Sequence, residues 1–215
     1  MVPSEKISKF YDSLFVLIPG GIFGIYAMIV GLLGDISAAT FYPEEYTIFT
    51  HMISDLGTPD LNPGGFMVFN IAVIVSGILG VPFSMYIGRL FQTKYGPNKW
   101  IYVAKYANVV AYLALSFIGL SLALSVNKQT FFFLLHGIFA DVCFLGTATY
   151  CIIYSYFIQD KNLVFPRYFA FISFLAGITQ LIFIVSWQPL IEWISHVSIV
   201  FWIILMGVYT TYKNY

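Results

Sequence analysis

Six stretches of this chain each run for about 20 residues with almost no charge, the length an α-helix needs to cross the hydrocarbon core of a bilayer. They fall at about 13–34, 63–87, 101–126, 130–158, 167–186 and 193–211. The runs are continuous rather than alternating, whereas the strands of a membrane barrel alternate. Helices also satisfy every backbone group without water. The predicted fold is therefore all-α: a polytopic membrane bundle of about six transmembrane helices, forming a single domain over residues 1–215. Composition points the same way. Only 9% of the residues are charged, against roughly 25% in a soluble domain.

The ten basic and ten acidic residues cancel, and with the expected burial this neutrality excludes nucleic acid as a partner. Their distribution is more telling. Lys6, Lys9, Arg89, Lys94, Lys99, Lys105, Lys161, Arg167 and Lys213 fall on one side of a six-span topology, and Lys128 falls on the other. By the positive-inside rule both termini are expected in the cytoplasm, in a multi-pass protein of the cell membrane. Asp35, Glu44, Glu45, Asp55, Asp60 and Glu192 fall outside. Belts of Trp100, Tyr102 and Tyr156 inside, and of Tyr42, Tyr46, Trp187 and Trp193 outside, fit both interfaces. The first apolar run exceeds the 7–15 residues of a signal-peptide core, so it is expected to stay as a span. Cys143 and Cys151 lie about 12 Å apart along one helix, beyond disulfide reach, and read as buried structural thiols.

One connection is elaborate, running from Asp35 to Asn62. Pro43 suits a first helical position, with Glu44 and Glu45 at the positive end of the dipole. Ile48, Phe49, Met52, Ile53 and Leu56 recur at helical spacing, with Thr50, His51, Ser54 and Asp55 on the opposite face. A short interfacial helix is expected here, ended by a left-handed Gly57 and by Pro59. Asn62 and Pro63 are expected to cap and start the second span.

The string His51-Met52-Ile53-Ser54-Asp55-Leu56-Gly57, then Asn62-Pro63 and the run Phe69-Asn70-Ile71-Ala72-Val73-Ile74-Val75-Ser76-Gly77, carries a resemblance. It resembles the multi-span membrane family catalogued as domain of unknown function 998. The likeness is sharpest over about 30 residues, and the later spans match in number and hydropathy. It implies a six-helix bundle and no particular activity.

Polar groups at membrane depth are costly and are candidates for function. Here they are Asn70, Lys105, Asn108, His136, Asp141, Gln180 and His196. At 1.5 Å per residue, Asn70, His136, Gln180 and His196 all fall about 5–10 Å below the outer surface, with His51, Ser54 and Asp55 above them. Three imidazoles, an aspartate and a serine make an inventory similar to that of intramembrane metal hydrolases, and His51, His136 and His196 could ligate zinc. The spacing argues otherwise, since His136 and Asp141 lie about 140° apart around one helix. A haem held by His136 and His196 is the other cofactor reading. Asp141 has Asn108 and Lys105 as expected partners, in a structural pair or in the relay of a transporter. No catalytic constellation has convincing spacing. The reading is a non-catalytic bundle with an outward-facing polar layer, serving as an accessory subunit or as a binder of lipid or another small ligand. Membrane lipids are its first partners and other membrane subunits its second. An outward-facing metal-dependent intramembrane hydrolase, or a transporter using Asp141, is the alternative.

A cysteine placed at Glu45 should react with an impermeant reagent outside intact cells, and one at Lys94 should not. The opposite pattern would reverse the orientation.

Overall fold

The computed structural model describes residues 3–125, 130–159, 165–213 and 215. Lys128 and Lys161, used above for orientation, lie outside them. The described chain is all-helical: α1 (Pro3–Leu17), α2 (Gly20–Ala39), a 3-10 turn (Ile53–Gly57), α3 (Phe66–Tyr95), α4 (Lys99–Ala123), α5 (Thr130–Ile158), α6 (Arg167–Ser186) and α7 (Pro189–Tyr212). Six of these, α2 to α7, are long and apolar enough to cross a membrane, and the protein is a multi-pass membrane protein.

Several expectations are corrected. The first span starts at Gly20 rather than near 13, because Pro19 has no N–H to give and separates α1 from α2. The second starts at Phe66, not at Pro63: Asn62 Oδ1 accepts the Gly65 N–H at 3.1 Å, which closes a turn ahead of the helix. It also runs on to Tyr95, and the last span reaches back to Pro189. The interfacial helix shrinks to Ile53–Gly57, and the left-handed glycine among the described residues is Gly96 rather than Gly57. The helical spacing of Ile48 and Phe49 is overridden by side chains that cap locally, including Thr47 to Thr50 at 2.6 Å.

The spans form a closed ring. Each packs mainly on its two neighbours, in the order α2, α3, α4, α5, α6, α7 and back to α2. Lipid is as apolar as leucine, so apolar burial does not drive these contacts; close backbone approach and polar links do. Hydroxyls supply the links by donating to a carbonyl on the next helix. Ser76 donates to Ala27 at 2.7 Å, Ser116 to Ile74 at 3.1 Å, Ser173 to Cys151 at 2.7 Å and Ser195 to Thr179 at 2.8 Å. Each such link is worth about 0.6 kcal/mol. Glycines supply the approach. A Cβ at Gly21 would stand 2.5 Å from the Gly207 carbonyl, so α2 and α7 meet backbone to backbone.

The ring is plugged at one end and hollow at the other. Phe91 stacks on Tyr154 at 4.3 Å and on Phe165 at 5.6 Å, while Phe169 meets Tyr209 at 5.0 Å and Trp202 at 6.2 Å. Arg89, Lys94, Lys99 and Arg167 mark this end, where Arg89 pairs with Asp12 of α1 at 2.6 Å. The opposite end carries the Ile53–Gly57 turn as a lid, and beneath the lid is the hollow.

Gly80 faces the ring of Tyr112, and an added Cβ would stand 1.9 Å from it. Gly80→Val is expected to cost about 1–3 kcal/mol by overpacking. Gly80→Val melting with the wild-type midpoint in detergent would contradict the close α3–α4 contact.

Candidate ligand cavity and its lid

The hollow is a cavity of about 740 Å³ whose wall takes residues from α2, the lid, α3, α4, α5, α6 and α7. Its size falls within the 300–1,000 Å³ of small-molecule sites. The wall is mainly apolar, with Met28, Phe69, Val73, Ile118, Phe144 and Ile199 prominent. The acidic groups Asp35, Asp55 and Glu192 are at the lid end with Ser54 and His196; other polar residues, among them Ser76, Asn108, Thr147 and Gln180, line the wall elsewhere.

Four of the lid-end groups, Asp35, Asp55, Glu192 and His196, are positioned by nameable contacts. Glu192 and His196 stand four apart on α7 and so share one face. His196 Nε2 lies 2.9 Å from Asp35 Oδ2, an ion pair that closes the ring between α7 and α2. The Glu192 carboxyl accepts the Ile53 N–H at 2.6 Å, tying the lid to α7. Asp55 Oδ2 accepts the Met52 N–H at 2.8 Å, while the Asp55 N–H returns to the Met52 carbonyl at 3.2 Å. Met52 also accepts from the Tyr46 hydroxyl at 2.8 Å.

Two asparagines hold the lid from below. Asn62 Nδ2 donates to both Ala38 and Leu56 carbonyls at 3.0 Å, and Asn70 Nδ2 donates to the Gly57 carbonyl at 2.8 Å. Gly57 lies against α3, where a Cβ would stand 2.4 Å from Phe69 Cδ1 and 2.6 Å from Asn70 Oδ1. The glycine of the Ser54-Asp55-Leu56-Gly57 string thus serves close packing rather than a left-handed turn.

The three histidines take different environments. His51 sits above the lid, its ring 5.2 Å from Tyr46 and 5.1 Å from Tyr42, and its Nδ1 meets Thr47 N at 3.2 Å and Thr50 Oγ1 at 2.9 Å. It takes no part in the cavity wall. His136 lines the cavity from α5, and its buried Nδ1 has no hydrogen-bond partner. His196 is engaged by Asp35. Among the described residues no three His, Cys, Asp or Glu gather to hold a metal. The zinc reading of His51, His136 and His196 therefore finds no support in the geometry.

The other candidates divide as well. Gln180 lines the cavity and donates to the Ser195 carbonyl at 2.9 Å. Asn70 serves the lid and is absent from the wall. Asp141 is half-buried, also outside the wall, and meets neither expected partner. Lys105 lays its stem on Gly88 and turns its ammonium to Tyr106, 4.7 Å from the ring centroid. Asn108, 1% exposed, lines the cavity with both amide atoms unpartnered, and so does the Tyr112 hydroxyl one turn on.

Sequence reading missed Asp35 and Glu192, both placed in loops outside the membrane. The i, i+4 spacing of Glu192 and His196 was the available signal. It also missed Trp187, which lines the cavity with φ +48°, a left-handed backbone that costs a bulky residue about 1–2 kcal/mol. Trp187 is the C-cap of α6, its N–H bonded to the Phe183 carbonyl at 2.8 Å, and left-handed residues commonly end helices there. Gly137 points the other way. It lines the cavity, and a Cβ there would meet nothing within 4 Å.

Burial raises the Asp55 carboxyl above its ordinary range, opposed in part by the Met52 N–H. A raised acid binds its proton more tightly in the closed lid than in the open one. The closed lid is therefore favoured at low pH and loosens as pH rises through the interval between the ordinary and raised values. With Cys143 and Cys151 changed to alanine, a cysteine at Ser54 should label faster as pH rises through that interval. Asp55→Asn should reduce that slope to the rise in thiolate alone, and an unchanged slope would assign the excess to another group.

No curated protein and no solved structure matches this chain. The profile of the family described as "Protein of unknown function (DUF998)" matches residues 25–209, from within α2 to within α7. That match takes in the whole ring and the lid, and the chain belongs to this family.

Proposed function

We propose that this protein binds a single-chain amphiphile, seating its polar head beneath the Ile53–Gly57 lid and its apolar chain along the middle of the helix ring. One observation carries the reading: a cavity of about 740 Å³ with an apolar wall, whose charged groups are confined to the lid end. A soluble polar metabolite would leave that wall without a partner, and a purely apolar one would leave Asp35, Glu192 and His196 unused. Unpartnered polar atoms lower down, on His136, Asn108 and Tyr112, add a second support. Leaving such a group buried and unsatisfied costs about 1–3 kcal/mol, which an occupant or its accompanying water relieves.

The basic residues of α3, α4 and α6 gather at the plugged end, which supports placing that end and both termini in the cytoplasm of a cell-membrane protein. The lid then faces outward, and the bound head lies in the outer leaflet. The role is one of holding or presenting the ligand, without chemistry on it.

Gly137→Phe tests this directly, because the new ring has open space at its Cβ and removes a glycine from a helix. Purified protein should carry a co-purifying amphiphile, seen by mass spectrometry under native conditions. The Gly137→Phe protein should lose it while keeping its melting temperature. Equal occupancy in the two proteins would sink the reading.

A further inference from the structure

The charges under the lid are one-sided. Asp35, Asp55 and Glu192 bring three carboxylates to the cavity wall, and His196 offsets at most one of them. Among the described residues no lysine or arginine lines the cavity. Lys105, the buried basic residue of the spans, directs its ammonium to Tyr106 and Tyr102 instead. A phosphate or carboxylate head would therefore enter a region of its own sign with no guanidinium or ammonium to receive it, and like-charge juxtaposition costs several kcal/mol.

Hydrogen-bond capacity leads to the same chemistry. Glu192 and Asp55 each satisfy one backbone N–H of the lid through one oxygen, Oε2 and Oδ2. An ionised carboxylate has about four acceptor sites, so acceptors remain. An ammonium brings three donors and no acceptor. The aromatic wall suits the same group. Trp187 and Phe183 line the cavity 5.4 Å apart, and Trp faces hold cations best. A second observation, independent of the carboxylates, points to a ligand: Asn108 and His136 line the same cavity, each more than nine-tenths buried and with polar atoms unpartnered.

We infer that the amphiphile's head is a protonated amine without phosphate, held between Asp35, Glu192 and Asp55 with Trp187 beside it. This inference rests on the ligand-binding reading above and narrows it to a chemical class, the long-chain amines. The carboxylates supply charge and acceptors, and Trp187, 46% exposed at the C-cap of α6, offers an aromatic neighbour at the edge of the cavity.

The test compares four probes of one chain length on the purified full-length protein: octadecylamine, octadecanol, octadecanoate and octadecyl phosphate. Each competes with a fluorescent single-chain amphiphile. Octadecylamine should displace it at least about tenfold better than the phosphate or the carboxylate, a factor worth 1.4 kcal/mol. Glu192→Gln keeps the acceptor for Ile53 and should weaken the amine by about tenfold while leaving octadecanol unchanged. Trp187→Gly relieves the backbone and should weaken the amine at an undiminished melting temperature. Should Glu192→Gln fail to fold, the ranking in the wild-type protein decides alone. A phosphate or carboxylate that binds as well as the amine overturns the amine assignment and leaves the cavity reading standing, as does an alcohol equal to the amine. If no probe displaces the reporter, the ligand-binding reading falls as well.

Discussion

The closure of six helices into a ring, each touching mainly its two neighbours, is the constraint on which the rest depends. Helices that pack in a closed ring cannot also all reach its centre. Side chains large enough to fill that centre do so at one end, through Phe91, Tyr154, Phe165 and Phe169. At the other end several inward positions are small, such as Gly31, Ser76, Ala111, Gly137 and Ala140, and the larger residues, Phe69 and Phe144 among them, wall a hollow. The cavity follows from which residues face inward along each span, with no irregularity of backbone required.

Holding such a ring together in lipid demands links that the hydrophobic effect does not provide. The hydroxyl-to-carbonyl bonds from Ser76, Ser116, Ser173 and Ser195 each join one pair of helices. The seam between α2 and α7 is different. It combines the Gly21–Gly207 approach near the plugged end with the Asp35–His196 ion pair near the lid. That seam joins the first span to the last, so a charged pair completes the ring where the sequence separation is greatest. Its partners also serve the cavity wall, which couples closure of the ring to the chemistry of the pocket.

Much of this was legible in the sequence. Hydropathy located the spans, and the elaborate connection from Asp35 to Asn62 was recognisable from Pro43, Gly57, Asn62 and Pro63. What hydropathy could not convey was rotation about each helix axis. Depth placed Asn70, His136, Gln180 and His196 in one layer, yet Asn70 turns to the lid while the other three face the cavity. Asp141 looked costly because span length puts it deep, although its half-exposed position and its absence from the cavity wall separate it from Asn108. The lid was misjudged for a related reason. Periodicity in Ile48, Phe49 and Met52 competes with local side-chain bonds such as Thr47 to Thr50, while the tertiary bonds from Glu192, Asn62 and Asn70 all hold the last turn, Ile53–Gly57.

The short connection between α6 and α7 has a mechanical consequence. Only Trp187 and Gln188 separate Ser186 from Pro189, and the Trp187 N–H is bonded to the Phe183 carbonyl at 2.8 Å. Gln180, Ser195, Thr179 and Ser198 cross-bond the same two helices below, so the hairpin is linked at several levels. The same pair is held on both flanks, by the Ser173 bond to the Cys151 carbonyl of α5 and by the Asp35–His196 contact with α2. The lid is tied to the same hairpin through Glu192, so a displacement of α7 reaches the lid through one bond.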